Sequence, residues 1–185
     1  MPTSSSSGKK QIRQWIAKHK DIARVLDVGC GEGTYPRLLR EQYPLLADAE
    51  WWGVEAWTKY IEEFNLHSLY HQIINEDARK INWTELPKID LVIFGDVLEH
   101  MTKEESQELV NKALGISKYV VISIPIVHSP QGAYGGNPFE IHVKDNWTHQ
   151  EVLDSFPHIV ESCGAKKIGV YWLFNPLAHV SPLSA

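Results

Sequence analysis

Along the chain, short unbroken apolar runs alternate with stretches in which apolar residues recur every three or four positions. The first pattern predicts buried strands and the second predicts helices with one apolar face. Ile12, Trp15 and Ile16 predict a helix over residues 11–20. Arg24–Val28 predicts a strand that stops at Gly29, and Pro36, Leu38 and Leu39 predict a helix to about Gln42. Proline suits a helix start because its missing N–H would have no partner there. A second strand is predicted at Glu50–Val54, a helix over 57–66 and a third strand over 71–74. Leu91, Val92, Ile93 and Phe94 form a run that fits a fourth strand over 90–94, buried on both faces. Residues 103–114 read as a helix, with Thr102 as N-cap and Glu105 completing a capping box. A fifth strand follows over 118–124.

Residues 125–146 break the rhythm, with three prolines and three glycines. A helix is predicted over 148–162, with Thr148 as cap and Glu151 three residues on. A sixth strand is predicted over 166–174 and a short seventh over 177–180. This alternation predicts an α/β fold: a three-layer Rossmann-like sandwich around a mostly parallel sheet of about seven strands. In such sheets ligands bind beyond the carboxyl ends of the strands.

The chain has 185 residues, a length that suits one domain, taken as residues 11–185. The Ser-rich lead over residues 1–10 has little to bury and is expected to be disordered. The end after the sixth strand is short for a usual final strand pair, which leaves an edge for a homodimer or marks a truncated chain. Net charge is −5. That balance argues against coating nucleic acid or an anionic membrane. Cys30 and Cys163 have no disulfide or zinc spacing and read as small buried residues in a reducing compartment. No run is long enough to span a bilayer and no signal-peptide pattern opens the chain, so the expected location is cytoplasmic.

The first strand delivers Asp27-Val28-Gly29-Cys30-Gly31-Glu32-Gly33. Glycines let the backbone take positive φ and let a ligand lie against it, and the following helix start suits an anion. A dinucleotide fingerprint would place its third glycine at Thr34, and no Gly-Lys-Ser/Thr phosphate loop is present. Glu55 ends the second strand, where a carboxylate can accept both ribose hydroxyls. Asp77 ends the third.

Val25 to Gly33 resembles the first motif of the class I S-adenosylmethionine-dependent methyltransferases, and the resemblance extends from about Val25 to Phe156. It implies that S-adenosylmethionine is the cofactor and S-adenosylhomocysteine its product. It implies that Asp27, Gly29, Gly31 and Gly33, with Cys30 in the same loop, form the cofactor site's methionine side; Glu55 serves the ribose, and Ala56 follows it and can pack on the adenine. Asp77 and Ala78 would meet the adenine, and Asp96 would complete the cofactor site at the fourth strand.

The fourth strand runs into Gly95-Asp96-Val97-Leu98-Glu99-His100-Met101. Methyl transfer is a displacement at carbon, so an enzyme must position the acceptor and, for a hydroxyl, remove its proton. His100 is the candidate base because its unperturbed pKa lies near neutrality. Glu99 and His142 complete the expected catalytic set. The small-RNA 2′-O-methyltransferases and the ubiquinone-pathway O-methyltransferases look similar here. That resemblance implies a divalent metal on Asp96, Glu99, His100 and His142, acting on an RNA 2′-hydroxyl in one version. Leu-Glu-His also follows this strand in members that use no metal, and the metal-free reading is the one taken. Residues 126–147, with their glycines, prolines and aromatics, are expected to form a substrate loop. The expected activity is methyl transfer to oxygen, or nitrogen, of a small molecule. The rival is a non-catalytic sensor or partner subunit that binds the same cofactor.

Overall fold

The computed structural model describes residues 4–177. Among the described residues, five α-helices and seven strands follow one another along the chain. They are α1 (Lys9–Ile16), β1 (Arg24–Val28), α2 (Thr34–Pro36), β2 (Glu50–Val54), α3 (Thr58–Glu63), β3 (Gln72–Ile74), β4 (Ile89–Gly95), α4 (Lys103–Ile116), β5 (Ser117–Pro125), α5 (His149–Ser155), β6 (Ile159–Ala165) and β7 (Ile168–Phe174). Helix α2 continues into a π-helical segment, Arg37–Gln42.

The sheet order is β3-β2-β1-β4-β5-β7-β6. Strands β3, β2, β1, β4 and β5 pair in parallel, while β7 runs antiparallel to both β5 and β6. The order reverses at β1, and the crevice beside that switch point is where open α/β sheets take ligands. Period-two alternation divides the strand residues between two cores. Val25, Trp51, Leu91, Ile93, Val121 and Trp172 pack with Ile12 and Trp15 of α1 and with Leu39. Leu26, Val54, Val92, Phe94, Val120 and Leu173 pack on the other face with Leu109 and Ala113 of α4 and Val152 of α5. The layers are therefore helix, sheet, helix, as the sequence pattern predicts.

The capping box at Thr102 and Glu105 is present in full. At α5 the Thr148 side chain accepts the Glu151 N–H, but the Glu151 carboxylate is held by Lys103 and Lys144. The helix expected over 148–162 stops at Ser155. Phe156 precedes Pro157 and takes an extended conformation, φ −126° and ψ 93°, as the proline ring demands of its neighbour. Residues 159–165 then form β6, which holds Cys163. The final strand pair is thus present and lies upstream of its expected place. The strand expected over 177–180 falls mostly outside the described residues; Leu177 itself is in a turn. No helix among the described residues is long and apolar enough to cross a membrane.

Candidate functional site

The carboxyl ends of β1 to β4 open onto one cleft of about 880 Å³, counting its open mouth. That size suits a small-molecule ligand. Its floor is the glycine loop. Gly29, Gly31 and Gly33 have φ of 65°, 50° and 76°, values that side chains rarely tolerate. At Gly29 a Cβ would also come within 2.5 Å of Val97 Cγ2. Gly29 and Gly31 line the cleft, as do Asp27 and Cys30. Gly33 does not line it. Its N–H donates to the Cys30 carbonyl at 2.8 Å and closes the turn.

Asp27 is buried. The Tyr70 hydroxyl donates to its Oδ2 at 2.6 Å, while Oδ1 is buried without a partner. Burial raises the Asp27 pKa to about 7, against the Tyr70 bond and the Lys9 charge, which lower it. Glu55 is buried too. Its Oε2 accepts the Gly31 N–H and its Oε1 the Trp57 N–H, both at 2.9 Å. Burial pushes its pKa up. Ala56 lies beside it on the cleft wall.

Asp77 and Ala78 also reach the cleft. Both Asp77 oxygens are engaged by Arg79, the closest at 2.6 Å, and Arg79 bonds Glu105 as well. Burial would raise the Asp77 pKa, but the Arg79 bonds outweigh it and hold it below the ordinary value. An adenine amino group would share this carboxylate with the guanidinium. The expected anchor is thus in place but already paired.

Asp96 ends β4 with φ 60°, a strained value for a residue with a side chain. Three donors fix it: Ser4 Oγ at 2.8 Å, the Ser5 N–H at 2.6 Å and Ser123 Oγ at 2.9 Å. From Ser4 onward, therefore, the segment expected to be disordered runs across the cleft, and helix α1 starts at Lys9 rather than Gln11. Composition could not show this, because serine hydroxyls and a strand-end carboxylate carry no periodic signal.

Glu99, His100 and His142 come together. Their ligand atoms all lie within 4.8 Å of one another, and the two rings meet edge to face at 4.9 Å. Residues 126–147 bring this about. The Val143 and Lys144 N–H groups donate to the Glu99 carbonyl at 2.8 and 3.0 Å. The His142 ring Nδ1 meets the Ser129 carbonyl at 2.5 Å, and His100 Nδ1 meets the Ile141 carbonyl at 3.2 Å. With Nδ1 donating in each ring, Nε2 carries the lone pair. Glu99 Oε2 is buried without a partner. Burial pushes the Glu99 carboxyl well above its ordinary range, with Asp96 adding to it, and pushes His100 below its own. Asp96, joined to this cluster by the sequence resemblance, is not in it.

The same loop lends Asn137, Phe139 and Glu140 to the cleft wall. Glu140 accepts a 3.1 Å bond from Tyr60. The sequence reading did not single out Tyr60, Glu140, Tyr70, Tyr35 or Lys9 as site residues. Each meets the site through a tertiary contact that no spacing in the sequence records.

A family model described as a methyltransferase domain matches residues 25–118, half of the chain. No curated protein matches the sequence. Among solved structures, the N-terminal domain of EvdMO1 with S-adenosylhomocysteine bound is similar at TM-score 0.66 and 14% identity, over 92% of this chain and 82% of that one. Magnesium protoporphyrin IX methyltransferase from Synechocystis PCC 6803, with S-adenosylmethionine bound, is similar at TM-score 0.62 and 16% identity, over 89% and 76%. An S-adenosylmethionine-dependent methyltransferase from Clostridium acetobutylicum ATCC 824 is similar at TM-score 0.65 and 11% identity, over 90% and 89%. At these identities the likeness is one of fold.

Proposed function

The chain belongs to the methyltransferase-domain family and is an S-adenosylmethionine-dependent enzyme, and from that premise we propose that it methylates a hydroxyl oxygen of a small molecule. The cleft fits the cofactor. Its glycines leave the backbone open, Glu55 stands where ribose hydroxyls can donate, and the orphaned Asp27 Oδ1 is a buried acceptor at the glycine loop. When bound, the cofactor supplies an electrophilic methyl group on a sulfonium.

One observation carries the choice of acceptor: the convergence of Glu99, His100 and His142 at the end of β4. The Nδ1 bond to Ile141 leaves His100 Nε2 as the basic nitrogen, and burial lowers the ring's pKa against that bond, which raises it. This nitrogen can take a hydroxyl proton, and His142 and Glu99 fix the direction from which that hydroxyl enters. An amine acceptor needs no such base once it is neutral. The remaining work is positioning, and the loop residues Asn137, Phe139 and Glu140 supply the opposing wall.

The cluster also fits a divalent metal. It offers one carboxylate oxygen and two imidazole nitrogens, with both Nδ1 atoms tied back to carbonyls as metal-bound histidines usually are. Glu99 Oε2 is a buried acceptor left over. A metal there would lower the pKa of an acceptor hydroxyl. Asp96, committed to Ser4, Ser5 and Ser123, is not counted among its ligands.

A small acceptor is favoured over RNA by charge. Glu76, Asp77, Asp96 and Glu140 line the cleft, against Arg79, which Asp77 and Glu105 already hold. Such a wall repels a phosphate backbone. The test is a labelling assay with methyl-labelled S-adenosylmethionine on cell extract, split into small molecules, RNA and protein. Label in the small-molecule fraction supports the proposal. Label confined to RNA overturns the acceptor class, and tight cofactor binding without any label makes the chain a sensor or partner subunit.

A further inference from the structure

The segment over residues 126–147 turns polar side chains inward and apolar ones outward. Five of the nine large apolar side chains that stand exposed among the described residues lie in it: Val127, Tyr134, Phe139, Ile141 and Val143, the last at 56%. Single exposed apolar residues are ordinary, but a concentration of them in one segment marks a contact surface. Two polar residues of the same segment are buried instead, Asn137 at 2% and Glu140 at 7% exposure. Asn137 Oδ1 accepts the Phe139 N–H at 2.9 Å. Glu140 accepts from the Tyr60 hydroxyl at 3.1 Å and from Gln131 Nε2 at 3.2 Å, and the same Gln131 nitrogen reaches the Glu140 carbonyl at 2.7 Å. Burying an amide and a carboxylate while a phenylalanine, an isoleucine and a valine stay in water runs against the hydrophobic effect. The segment is therefore pinned so as to present apolar groups.

Their place relative to the base says what covers them. Phe139 lines the cleft and is also 38% exposed, so it joins the interior to the outer face. Ile141 supplies the carbonyl that holds His100 Nδ1, and Val143 supplies an N–H to the Glu99 carbonyl. Between them in the chain stands His142, whose ring meets His100 edge to face. The exposed apolar pair is thus carried on the same stretch of backbone that places the base. Inside the cleft, Val97 and Met101 flank His100 in the chain and continue the apolar wall. A molecule whose hydroxyl meets His100 has apolar contacts within the cleft and an apolar rim where it leaves. A protein partner seated on that rim would stand over the mouth of the cleft, whereas an acceptor extending out of the cleft covers the rim in the act of binding.

We propose that the acceptor carries an apolar body beyond its reacting hydroxyl, and that Phe139, Ile141 and Val143 bind that body at the mouth of the cleft. The substrate class is then a lipid-like or extended hydrophobic alcohol or phenol rather than a sugar or another wholly polar hydroxyl compound. The inference rests on methyl transfer to a small-molecule hydroxyl, as proposed above.

The test incubates the full chain with methyl-labelled S-adenosylmethionine and three acceptor pools from whole cells: the chloroform phase of a chloroform–methanol extract dispersed in detergent, its aqueous phase, and total RNA. Label is expected with the chloroform phase. Label with the aqueous phase alone overturns the inference and leaves methylation of a small molecule standing. Label confined to RNA, or no label at all, removes both readings. Ile141→Ser combined with Val143→Ser then probes the rim. Both side chains are exposed, and the backbone bonds that these residues make to His100 and Glu99 are unchanged, so the fold and the base stay in place. The amount of chloroform-phase extract that half-saturates the rate is expected to rise by about 10-fold, as for losing two partly covered aliphatic side chains, with the saturated rate close to wild type. An unchanged half-saturation point, or a fall in the saturated rate alone, overturns the inference. If the double variant leaves half-saturation unchanged but turns a dimer into monomers in sedimentation, the rim belongs to a second copy of the chain.

Discussion

Glu55 at the end of β2 accepts the backbone N–H of Gly31 at 2.9 Å. The bond ties the second strand to the glycine loop of the first, and the other Glu55 oxygen accepts the Trp57 N–H. One carboxylate therefore holds the loop, opens the next helix and faces the cleft. Glu55→Ala removes an acceptor for the ribose and loosens the loop together. It is expected to weaken S-adenosylhomocysteine by about 10- to 100-fold in calorimetry. Glu55→Gln, which keeps one acceptor oxygen, is expected to fall in between. Wild-type affinity in Glu55→Ala would remove Glu55 from the cofactor site.

Gly29 carries two separate demands, a positive φ and contact with Val97. Gly29→Ala is expected to cost about 1–3 kcal/mol in urea unfolding. Adding Val97→Ala relieves the contact but not the backbone, so it should restore part of the loss and not all of it. Full restoration would mean that φ is not strained there.

Activity should track the histidine cluster while cofactor binding does not. His100→Ala is expected to lower kcat by about 100- to 10,000-fold, the usual worth of a positioned base. His142→Ala should act in the same direction, with cofactor affinity nearly unchanged in both. If a metal occupies the cluster, a chelator abolishes activity, manganese or magnesium restores it, and both variants lose direct metal binding. Activity that survives chelation with no gain from added ions leaves His100 as the base by itself.

Asp27 gives stability a pH dependence of known sign. Its pKa rises on folding from 3.8 to about 7, chiefly through burial. Between about pH 4 and about pH 7 the folded chain keeps a proton that the unfolded chain has lost. Stability contributed by this group is therefore full at the acid end and lost as pH rises through that window. Asp27→Asn should flatten the slope relative to wild type, measured as urea stability at about pH 4.5 and about pH 7.5. Equal slopes in the two chains would place Asp27 ionised and solvated.

The sheet and the cofactor corner were legible in the sequence because they depend on local rules. Leu91–Phe94 is a short apolar run that fits a buried strand, and glycines after Asp27 signal a positive-φ loop. The helix expected over 148–162 overruns α5 because the apolar residues after Ser155 serve the strand β6, and the local signal that divides the two is Pro157. From Ser4 the Ser-rich lead is placed by Asp96, 91 residues away from Ser5 in the chain, a contact that composition does not record. Glu99 and His100 were visible as neighbours. That His142 joins them, and that Asp96 does not, depends on how residues 126–147 fold back onto the Glu99 carbonyl, which no spacing in the sequence records.

The central claim is that a hydroxyl at the Glu99–His100–His142 face receives the methyl group. Its most direct test uses S-adenosylmethionine carrying a ¹³C methyl with the small-molecule fraction of cell extract, and reads the labelled product by NMR. An O-methyl signal that needs the wild-type chain and vanishes with His100→Ala is the predicted result. An N-methyl signal, or an O-methyl signal that His100→Ala leaves intact, would contradict it.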